Sequence, residues 1–316
     1  MSQPTNPQVH INKPLTNVSV AFMQDANEYV ADKVFPRVPV SKKSDSYFVY
    51  DKEAFTRAIA ADRSGSTESV GGGYEVGNAT YSCRQKSFHK DVPSDIAGNM
   101  DAPLDAYRDA TEFVSRAMML KKEADFASAY FTTGIWTGGA TLAGATQWSD
   151  PASDPIGVIK AAIRSIQTAC LVKPNKLVVG PEVFDALAEH PDLVDRYKYT
   201  NSLTLTREMI AKLLGVDELL VGEGVQTTNV EGQTTTTGYI FGKHALLVYA
   251  APRPSLLMPS GGYNFTWNEY GNGYGARIRR YPMIHLNDSQ RIEGDMAYDT
   301  KVVAPDCGYF FNNAVA

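Results

Sequence analysis

Val34-Phe35-Pro36-Arg37-Val38-Pro39-Val40 is a segment that cannot form a helix and is poorly suited to the middle of a sheet. Its two prolines push the residues before them into extended conformations and remove backbone hydrogen-bond donors. The residues around it, up to Ala97, show no pattern of a long amphipathic helix. About one hundred residues of this kind could hardly bury a core of their own. We therefore expect this first third of the chain to be stabilised by surfaces outside itself, which in many proteins belong to other subunits.

A strand-rich ribbon follows from residue 46 to residue 97. Apolar and polar residues alternate at Tyr47 and Val49 and again at Tyr81 and Cys83, which predicts two or three strands. A Gly/Ser-rich tip at residues 62–73 lies between them. Because a long two-stranded ribbon is only marginally stable alone in water, we expect it to need a partner surface.

The strongest helix pattern begins after the ribbon and spans residues 104–131 without an internal Gly or Pro. Asp101 is the predicted N-cap, and Pro103 is expected in the first turn, where proline removes only a donor that is unpaired anyway. An apolar stripe steps along the helix by four and three residues: Phe113, Ala117, Leu120, Ala124, Ala127 and Phe131. Such a helix would be about 40 Å long. This length favours a scaffold rod over an ordinary core helix of an α/β domain.

A compact α/β section follows a Gly-rich loop at residues 134–153. Predicted helices begin at Asp154-Pro155, at Gly180-Pro181 and at Thr206, and the third ends at Gly215. The predicted strands of this section are Lys176–Val179, Glu218–Val221, Tyr239–Phe241 and Ala245–Tyr249. This alternation indicates a small sheet flanked by helices. The pattern then returns to strands at residues 264–268, 274–284, 297–304 and 309–315, for which the long helix is the expected partner.

The composition is that of a folded chain. Its 316 residues exceed one simple core, so two packed regions with appendages are expected. The net charge of -5 disfavours a function that depends on neutralising phosphates. The three cysteines, Cys83, Cys170 and Cys307, are dispersed and odd in number, which predicts free thiols in a reducing compartment. We expect neither a signal peptide nor a membrane helix, since no basic start precedes an apolar run and no stretch reaches about 18 apolar residues.

One glycine-rich motif could be mistaken for a nucleotide site. Gly271-Asn272-Gly273-Tyr274-Gly275-Ala276 matches the loose Gly-x-Gly-x-x-Ala pattern. The residues that follow, Arg277 to Pro282, alternate like a strand, which favours a hairpin turn over a phosphate-binding loop. The five histidines are scattered and lack metal-ligand spacing.

Two sets of reactive side chains could in principle support chemistry. Cys170 with His190 or His244 could form a thiol nucleophile and its base, but Cys170 continues an apolar helix stripe, which favours a buried structural role. Glu293 and Asp295 lie on one face of a strand, and we interpret them as solvated surface carboxylates. We therefore predict that the chain is not an enzyme and has no catalytic, cofactor-binding or metal site.

The order of these parts resembles the major capsid protein of tailed bacteriophages, the Hong Kong 97-type fold. The residues that carry the resemblance are 34–40, the ribbon at 46–97, the long helix at 102–131 and the closing stretch Lys301-Val302-Val303-Ala304-Pro305-Asp306-Cys307-Gly308-Tyr309-Phe310-Phe311. The resemblance covers nearly the whole chain, and it implies an α+β fold. The family has no catalytic signature.

The resemblance also implies a division into four parts. Residues 1–45 would be an N-terminal arm, and residues 46–99 an extended β-hairpin, the E-loop. Residues 100–150 and 262–302 would form the peripheral P-domain, with a long spine helix and β-strands. Residues 151–261 and 303–316 would form the α/β axial A-domain.

The function implied by the resemblance is structural. Copies of the chain would assemble through pentamers and hexamers into an icosahedral shell that encloses double-stranded phage DNA and holds it non-specifically. The implied partners are a scaffolding protein and a portal during assembly and a decoration protein, without a membrane. The chain would be made in the host bacterial cytoplasm and end in the virion. The candidate inter-subunit contact residues are Phe35, Arg37, Tyr47, Arg63, Arg277, Arg279 and Arg280.

Two alternatives remain at this point. An encapsulin-type compartment shares the fold but houses an enzyme cargo instead of DNA. A two-domain cytoplasmic enzyme would bind a small molecule in the section at 154–250 and use the loop at 271–276 as its site. No convergent set of polar residues supports the enzyme.

Overall fold

The computed structural model of the chain describes residues 28–50, 52–63, 65, 68–100, 104–197, 206–230, 232–254, 258–270, 276–283 and 288–316. The helices are α1 (Ala31–Val34), α2 (Lys52–Thr56), α3 (Ser94–Gly98), α4 (Ala106–Tyr130), α5 (Pro155–Cys170), α6 (Pro181–Glu189), α7 (Pro191–Tyr197) and α8 (Arg207–Leu214). The strands are β1 (Arg37–Val40), β2 (Ser44–Tyr50), β3 (Val76–Ser82), β4 (Arg84–Pro93), β5 (Gly138–Thr141), β6 (Lys176–Val179), β7 (Glu218–Val221), β8 (Val225–Thr227), β9 (Thr237–Tyr239), β10 (Ala245–Val248), β11 (Gly262–Trp267), β12 (Ala276–Met283), β13 (Ser289–Val302) and β14 (Gly308–Asn312).

Strand β13 is the centre of the first sheet. The strand order is β1-β11-β13-β12, and β4 also pairs with β13. The 14 residues of β13 pair antiparallel with β4 and β12 over most of their length and with β11 near the end. Strand β1 extends the sheet by pairing in parallel with β11. Since β1 and β4 come early in the chain, the first third completes a sheet built by the last part.

Helix α4 packs across one face of the first sheet through small side chains. Ala110 and Val114 form a buried cluster with Val92 of β4 and Ile292 of β13. Gly294 of β13 lies beneath the helix, where a Cβ atom would be only 2.7 Å from Cγ1 of Val114. Glycine is required at this position because helix and strand approach each other so closely.

The second sheet is covered on both faces. Its strand order is β5-β14-β10-β6-β7, with β5 parallel to β14, β6 parallel to β7 and the other pairs antiparallel. All four residues of β10 are buried. Leu247 packs in one cluster with Ile159 of α5, whereas its neighbour Leu246 packs in the other cluster with Phe126 and Phe131 at the end of α4. A strand buried on both faces is expected to be apolar at every position, as β10 is.

The predicted ends of the helices in this section are confirmed. The carboxylate of Asp154 accepts a hydrogen bond from the backbone N–H of Gly157 at 2.7 Å and caps α5. The hydroxyl of Thr206 accepts from the N–H of Met209 and caps α8, which ends at Gly215 with a φ of +80°. Caps and stops of this kind depend on neighbouring residues only, so the sequence predicts them well.

The start and the buried face of α4 differ from the prediction. The N-cap is Asp105, whose carboxylate accepts from the backbone N–H of Tyr107 at 2.9 Å, whereas Asp101 and Pro103 lie outside the described residues. Phe113 and Leu120 of the predicted stripe stay partly exposed. The buried side chains are Ala106, Ala110, Val114, Glu123, Phe126, Ala127 and Tyr130. The prediction is wrong for Phe113 and Leu120, because the close approach of the first half of the helix to the sheet selects small residues such as Ala110.

The first third of the chain is completed in part by the later parts of the same chain. Phe35 is only 1% exposed, and its ring lies 5.6 Å from that of Phe126 and 6.4 Å from that of Trp136, measured between centroids. Strands β1 and β4 are members of the first sheet. The expectation that this third needs surfaces outside itself is correct, but many of those surfaces belong to its own chain.

The prediction of three free thiols is wrong. Cys170 at the end of α5 and Cys307, just before β14, form a disulfide, and Cys83 is free and buried. The bonded residues are 137 positions apart in the sequence, but their Cα atoms are 5.2 Å apart. Only the return of the chain into the second sheet brings them together, so their spacing gives no signal.

Candidate assembly surfaces

The ribbon, which we define as residues 44–82, is the most exposed part of the described chain. Strands β2 and β3 pair antiparallel from Ser44 opposite Ser82 to Tyr50 opposite Val76. Their side chains are largely exposed on both faces of this two-stranded sheet. Large apolar side chains are exposed along its length: Phe48 (62%), Val49, Phe55, Ile59, Val70, Tyr74 and Val76. Exposed apolar surface of this extent is typical of a protein interaction site.

Aromatic rings give the outer part of the ribbon its shape. The rings of Tyr50, Phe55 and Tyr74 lie 5.8 to 6.3 Å apart, measured between centroids. Arg63 is exposed in the same outer part. These contacts are all local to the ribbon, so the ribbon holds its aromatic side chains together but does not bury them.

The base of the ribbon is fixed to the first sheet. Tyr81 stacks on Phe265 of β11 with ring centroids 4.6 Å apart, and the ring of Tyr47 lies 5.4 Å from that of Phe265. The carboxylate of Asp299 in β13 accepts a hydrogen bond from the backbone N–H of Ser82 at 2.8 Å. Burial raises the pKa of both tyrosine hydroxyls. Tyr47, a predicted contact residue, therefore packs on its own chain.

The arm root, which we define as residues 30–37, is held by a buried carboxylate. Glu123 of α4 is 1% exposed, and its two oxygens accept hydrogen bonds of 2.8 Å from the backbone N–H groups of Val30 and Ala31. Burial raises the pKa of Glu123 to about 7, although both hydrogen bonds act to lower it. Glu123 is not among the residues that the sequence pattern singled out. Its signal was an acidic residue three positions before Phe126, on the face of the helix that is buried.

Two predicted contact residues lie in the arm root. The side chain of Phe35 is covered by its own chain, as described above. Arg37 follows it at the start of β1 and forms an ion pair of 3.4 Å with Asp32, which also binds Lys122 of α4. The arm root thus carries a charged outer side over an aromatic inner side.

The face of the first sheet that points away from α4 carries a buried charge. Asp295 of β13 is 0% exposed and accepts hydrogen bonds from Ser87 Oγ at 2.7 Å, from Arg277 Nε at 3.3 Å and from Arg279. Burial alone would raise the pKa of Asp295, but the hydrogen bonds from these three side chains hold it below its ordinary value. The interpretation of Glu293 and Asp295 as solvated carboxylates is therefore wrong for Asp295. Arg277 and Arg279 already have a partner in their own chain.

A groove separates the edge strand β12 from helix α4. It has a volume of about 430 Å³, and its lining includes Tyr107, Arg108, Glu112, Ile278 and Arg280. The guanidinium of Arg280 lies over the ring of Tyr107, 3.7 Å from its centroid. Ile278 is exposed here because α4 covers β4 and β13 and leaves the edge strand open. The groove therefore combines apolar and basic side chains.

The predicted contact residues thus fall in three separate regions of the structure. The structure brings Arg277, Arg279 and Arg280 together on β12. Phe35 and Arg37 lie in the arm root, and Tyr47 and Arg63 lie at opposite ends of the ribbon.

The motifs considered for chemistry do not form a site. Cys170 is bonded to Cys307, and His190 is buried with its Nε2 3.2 Å from Ser153 Oγ. The chain described from Ala276 onward is a strand, not the helix that a nucleotide loop requires. Strands β11 and β12 both pair with β13. The predicted hairpin turn between them falls on residues 271–275, which lie outside the described ranges.

Neither a metal site nor a membrane span emerges from the described part of the chain. Within it, no three His, Cys, Asp or Glu side chains are grouped to hold a metal ion. None of its helices combines the length and the apolar character needed to cross a membrane.

Comparison with known proteins shows what the chain is similar to. Residues 138–251, most of the second sheet and its helices, match the family model of phage major capsid protein E. The chain is 28% identical to the major capsid protein of Pseudomonas phage JBD67 over 320 residues, covering 99% of both chains. It is 22% identical over 316 residues to the major capsid protein of Burkholderia phage BcepMu, covering 96% of both.

Solved structures show the same fold. A phage-related protein from Bordetella bronchiseptica RB50 matches with a TM-score of 0.71 at 23% identity, covering 92% of this chain and 94% of that one. The capsid of cyanophage P-SCSP1u matches with a TM-score of 0.62 at 11% identity, covering 93% and 90%. The SrpI encapsulin of Synechococcus elongatus PCC 7942 matches with 0.56 at 14% identity, covering 95% and 93%. The chain is thus similar from end to end to phage major capsid proteins, and its architecture is that of the Hong Kong 97-type fold.

Proposed function

We propose that this chain is a phage major capsid protein, whose copies assemble through pentamers and hexamers into an icosahedral shell around double-stranded phage DNA. The observation that carries the proposal is the ribbon, which exposes apolar side chains on both faces although the sheets of the same chain bury theirs. A second copy that covers the ribbon would remove this apolar surface from water. Many such contacts per particle would add up, so that weak single contacts suffice for a durable shell.

The four parts retain their proposed roles. Residues 1–45 serve as the arm, 46–99 as the E-loop, 100–150 with 262–302 as the P-domain, and 151–261 with 303–316 as the A-domain. Two structural features support this division. Helix α4 packs on the first sheet, and the second sheet has its own apolar cluster with α5, α6 and α8.

The groove between α4 and β12 fits the outer part of a neighbour's ribbon. The groove carries Arg108 and Arg280 against Glu112. Residues 51–75 of the ribbon contain five acidic and three basic residues, a formal charge of -2, together with the exposed apolar side chains. Opposite charge and shared apolar character support contact between these two surfaces. Arg280 and Arg63 are the predicted contact residues that such a contact would use.

The other proposed partners act on the assembling or the finished shell. A scaffolding protein and a portal act during assembly in the host cytoplasm, and a decoration protein binds the outside of the finished virion. The DNA is held without sequence preference. A net charge of -5 fits this role, because a strongly basic inner wall would bind the genome tightly through counterion release. The chain acts in this shell as a structural protein without catalysis.

An encapsulin-type role has weaker support. The likeness to the SrpI encapsulin concerns the fold at 14% identity, whereas the sequence relatives that match end to end are phage major capsid proteins. The contents of purified particles distinguish the two roles: DNA supports the capsid, and an enzyme cargo without DNA supports the compartment.

The decisive experiment is electron microscopy of the purified protein with two substitutions at one exposed ribbon position. Phe48→Asp removes apolar contact surface, and Phe48→Leu keeps it. Burial of a phenylalanine stabilises a contact by about 1.5–3 kcal/mol, so we expect Phe48→Asp to raise the protein concentration needed for particles by about 10- to 100-fold. Phe48→Leu should assemble like the wild type. A stable monomer of the wild type at every concentration contradicts the proposal.

A further inference from the structure

The disulfide joins two elements that are far apart along the chain. Cys170 is the last residue of α5, and Cys307 ends the short 3₁₀ turn Pro305–Cys307 that leads directly into β14. Both side chains lie in the apolar cluster beneath the second sheet and are nearly inaccessible to solvent. The Cα separation of 5.2 Å is within the range that a disulfide requires.

The disulfide closes a long loop and therefore strongly restricts the conformations of the unfolded chain. The closed loop contains β6 to β13, and therefore strands of both five-stranded sheets. Strand β14, which lies between β5 and β10 in the second sheet, follows this loop directly in the sequence. A crosslink that closes a loop of this length restricts the unfolded chain more than a short-range crosslink does. It also ties the last strand of the second sheet to helix α5.

The third cysteine, Cys83, is a free thiol. Cys83 is buried beneath Phe265 of β11, and its Sγ lies 3.5 Å from the carbonyl oxygen of that residue. Burial raises the pKa of the Cys83 thiol to about 11. A thiol that stays protonated at neutral pH is a poor nucleophile for disulfide exchange. Cys83 is therefore a natural internal control for the other two cysteines.

We propose that Cys170 and Cys307 form an oxidation-dependent covalent staple, open as two thiols in newly made subunits and closed in the released particle. This timing rests on the proposed function, because a subunit made in the reducing cytoplasm is not expected to form a stable disulfide there. A small-molecule disulfide such as oxidised glutathione serves as the oxidant. One thiolate attacks it and releases a thiol, and the second thiolate then displaces the second thiol. Overall the two cysteines lose two protons and two electrons, and the oxidant becomes two thiols.

The closure needs a local movement, since neither sulfur is accessible in the folded chain. The turn Pro305–Cys307 has to lift from the end of α5 for the first exchange step. Such local openings are rarer in a well-packed cluster than in a loop, so oxidation and reduction of the folded chain are both slow.

The first test counts free thiols. Purified particles are unfolded without reductant in the presence of N-ethylmaleimide and analysed by peptide mass spectrometry. We expect one adduct per chain, at Cys83, and a linked pair of peptides containing Cys170 and Cys307 that separates after reduction. Subunits from producing cells that are lysed directly into denaturant with N-ethylmaleimide should carry three adducts. Three adducts per chain in particles that were incubated with oxidised glutathione would overturn the proposal, and a linked pair in the cell sample would overturn its timing.

The second test measures unfolding temperature with and without reductant, after the redox state has been verified. Reduction of the wild type should lower the unfolding temperature by about 5–10 °C. The double variant Cys170→Ala/Cys307→Ala should show no response to reductant, which separates the crosslink from packing effects. Cys83→Ala should respond like the wild type. An unchanged unfolding temperature of the fully reduced wild type would overturn the stabilising role.

Electron microscopy of the same samples separates this proposal from the proposed function. Particles whose chains carry three free thiols overturn the staple and leave the shell intact. A linked pair of peptides in a protein that never forms particles supports the crosslink and overturns the shell.

Discussion

Strand β10 and the ribbon strand β2 differ in what covers them. β10 has β14 and β6 at its two edges and apolar clusters on both faces, and each of its four residues is buried. β2 pairs with β3 in a two-stranded sheet and leaves Phe48 and Val49 exposed. Both are regular strands, so backbone pairing alone does not account for the difference. The chain supplies all the contacts of β10 itself, whereas it leaves large apolar side chains of the ribbon exposed.

The largest expected effect concerns Phe35, which lies in the first third of the chain but is buried like β10. Phe35→Ala should lower the free energy of unfolding of the unassembled subunit by about 3–5 kcal/mol, because it leaves a cavity among aromatic rings. Denaturant unfolding of the subunit measures this change. A loss below about 1 kcal/mol would show that Phe35 behaves like a residue at an exposed position. The arm root would then not be part of the core.

A smaller effect is expected for the buried charge on the first sheet. Asp295→Asn should cost about 2–3 kcal/mol, since Arg277 loses its charged partner and Arg279 keeps only the 4.0 Å contact with Glu293. The pKa of Asp295 in the folded chain lies below its ordinary value of 3.8, so its stabilising contribution is complete above that value and is lost as the pH falls through the folded pKa. The difference between wild type and variant should therefore shrink below pH 3.8.

The matched control is Asp62→Asn, at an exposed position of the ribbon. It should leave unfolding unchanged at every pH. If both variants behave alike, the hydrogen bonds to Asp295 do not stabilise the sheet.

The carboxylate that holds the arm root should show the opposite pH dependence. Glu123→Gln turns one acceptor into an amide donor facing a backbone N–H, at a cost of about 1–3 kcal/mol. The pKa of Glu123 is raised from 4.5 to about 7, so its contribution is complete below pH 4.5 and declines as the pH rises towards 7. The cost of the substitution should be larger at pH 5 than at pH 8. Unfolding curves at the two pH values measure it, and an equal cost at both would contradict a buried, titrating Glu123.

The smallest expected effect on the stability of the subunit is that of a substitution in the ribbon. Phe48→Ala should change the stability of the unassembled subunit by less than about 0.5 kcal/mol, because this phenylalanine is already exposed to water. The same substitution should weaken assembly, for the reason given for Phe48→Asp. A subunit destabilised as strongly as by Phe35→Ala would mean that the ribbon is buried within its own chain.

The sequence predicted most of the local structure correctly. The start of α5, the end of α8 and the strand Lys176–Val179 lie where the pattern placed them. The strand pattern at residues 297–304 identified only the end of β13, which begins at Ser289. Its earlier half contains Arg291, Glu293 and Asp295, and a stretch with so many charged residues is not typical of a strand. The charges are tolerated there because neighbouring strands supply their partners.

The candidate assembly surfaces were predictable only in outline. The alternation and the Gly/Ser tip identified the ribbon as a surface in need of a partner. Individual contact residues were not predictable in the same way, because an arginine such as Arg279 has the same sequence signal whether its partner lies in its own chain or in another. The pairing of Arg279 with Asp295 depends on the register between β12 and β13.

By itself, the sequence determined the order of the parts, the caps and ends of the helices beside the second sheet, and the strands of the ribbon. Those features depend on residues within a few positions of one another, where propensity and capping act. The tertiary structure alone decided which face of α4 is buried, that Glu123 holds the arm root, that Asp295 is enclosed and that Cys170 meets Cys307. These depend on contacts between residues far apart along the chain, and only the packed sheets bring those residues together.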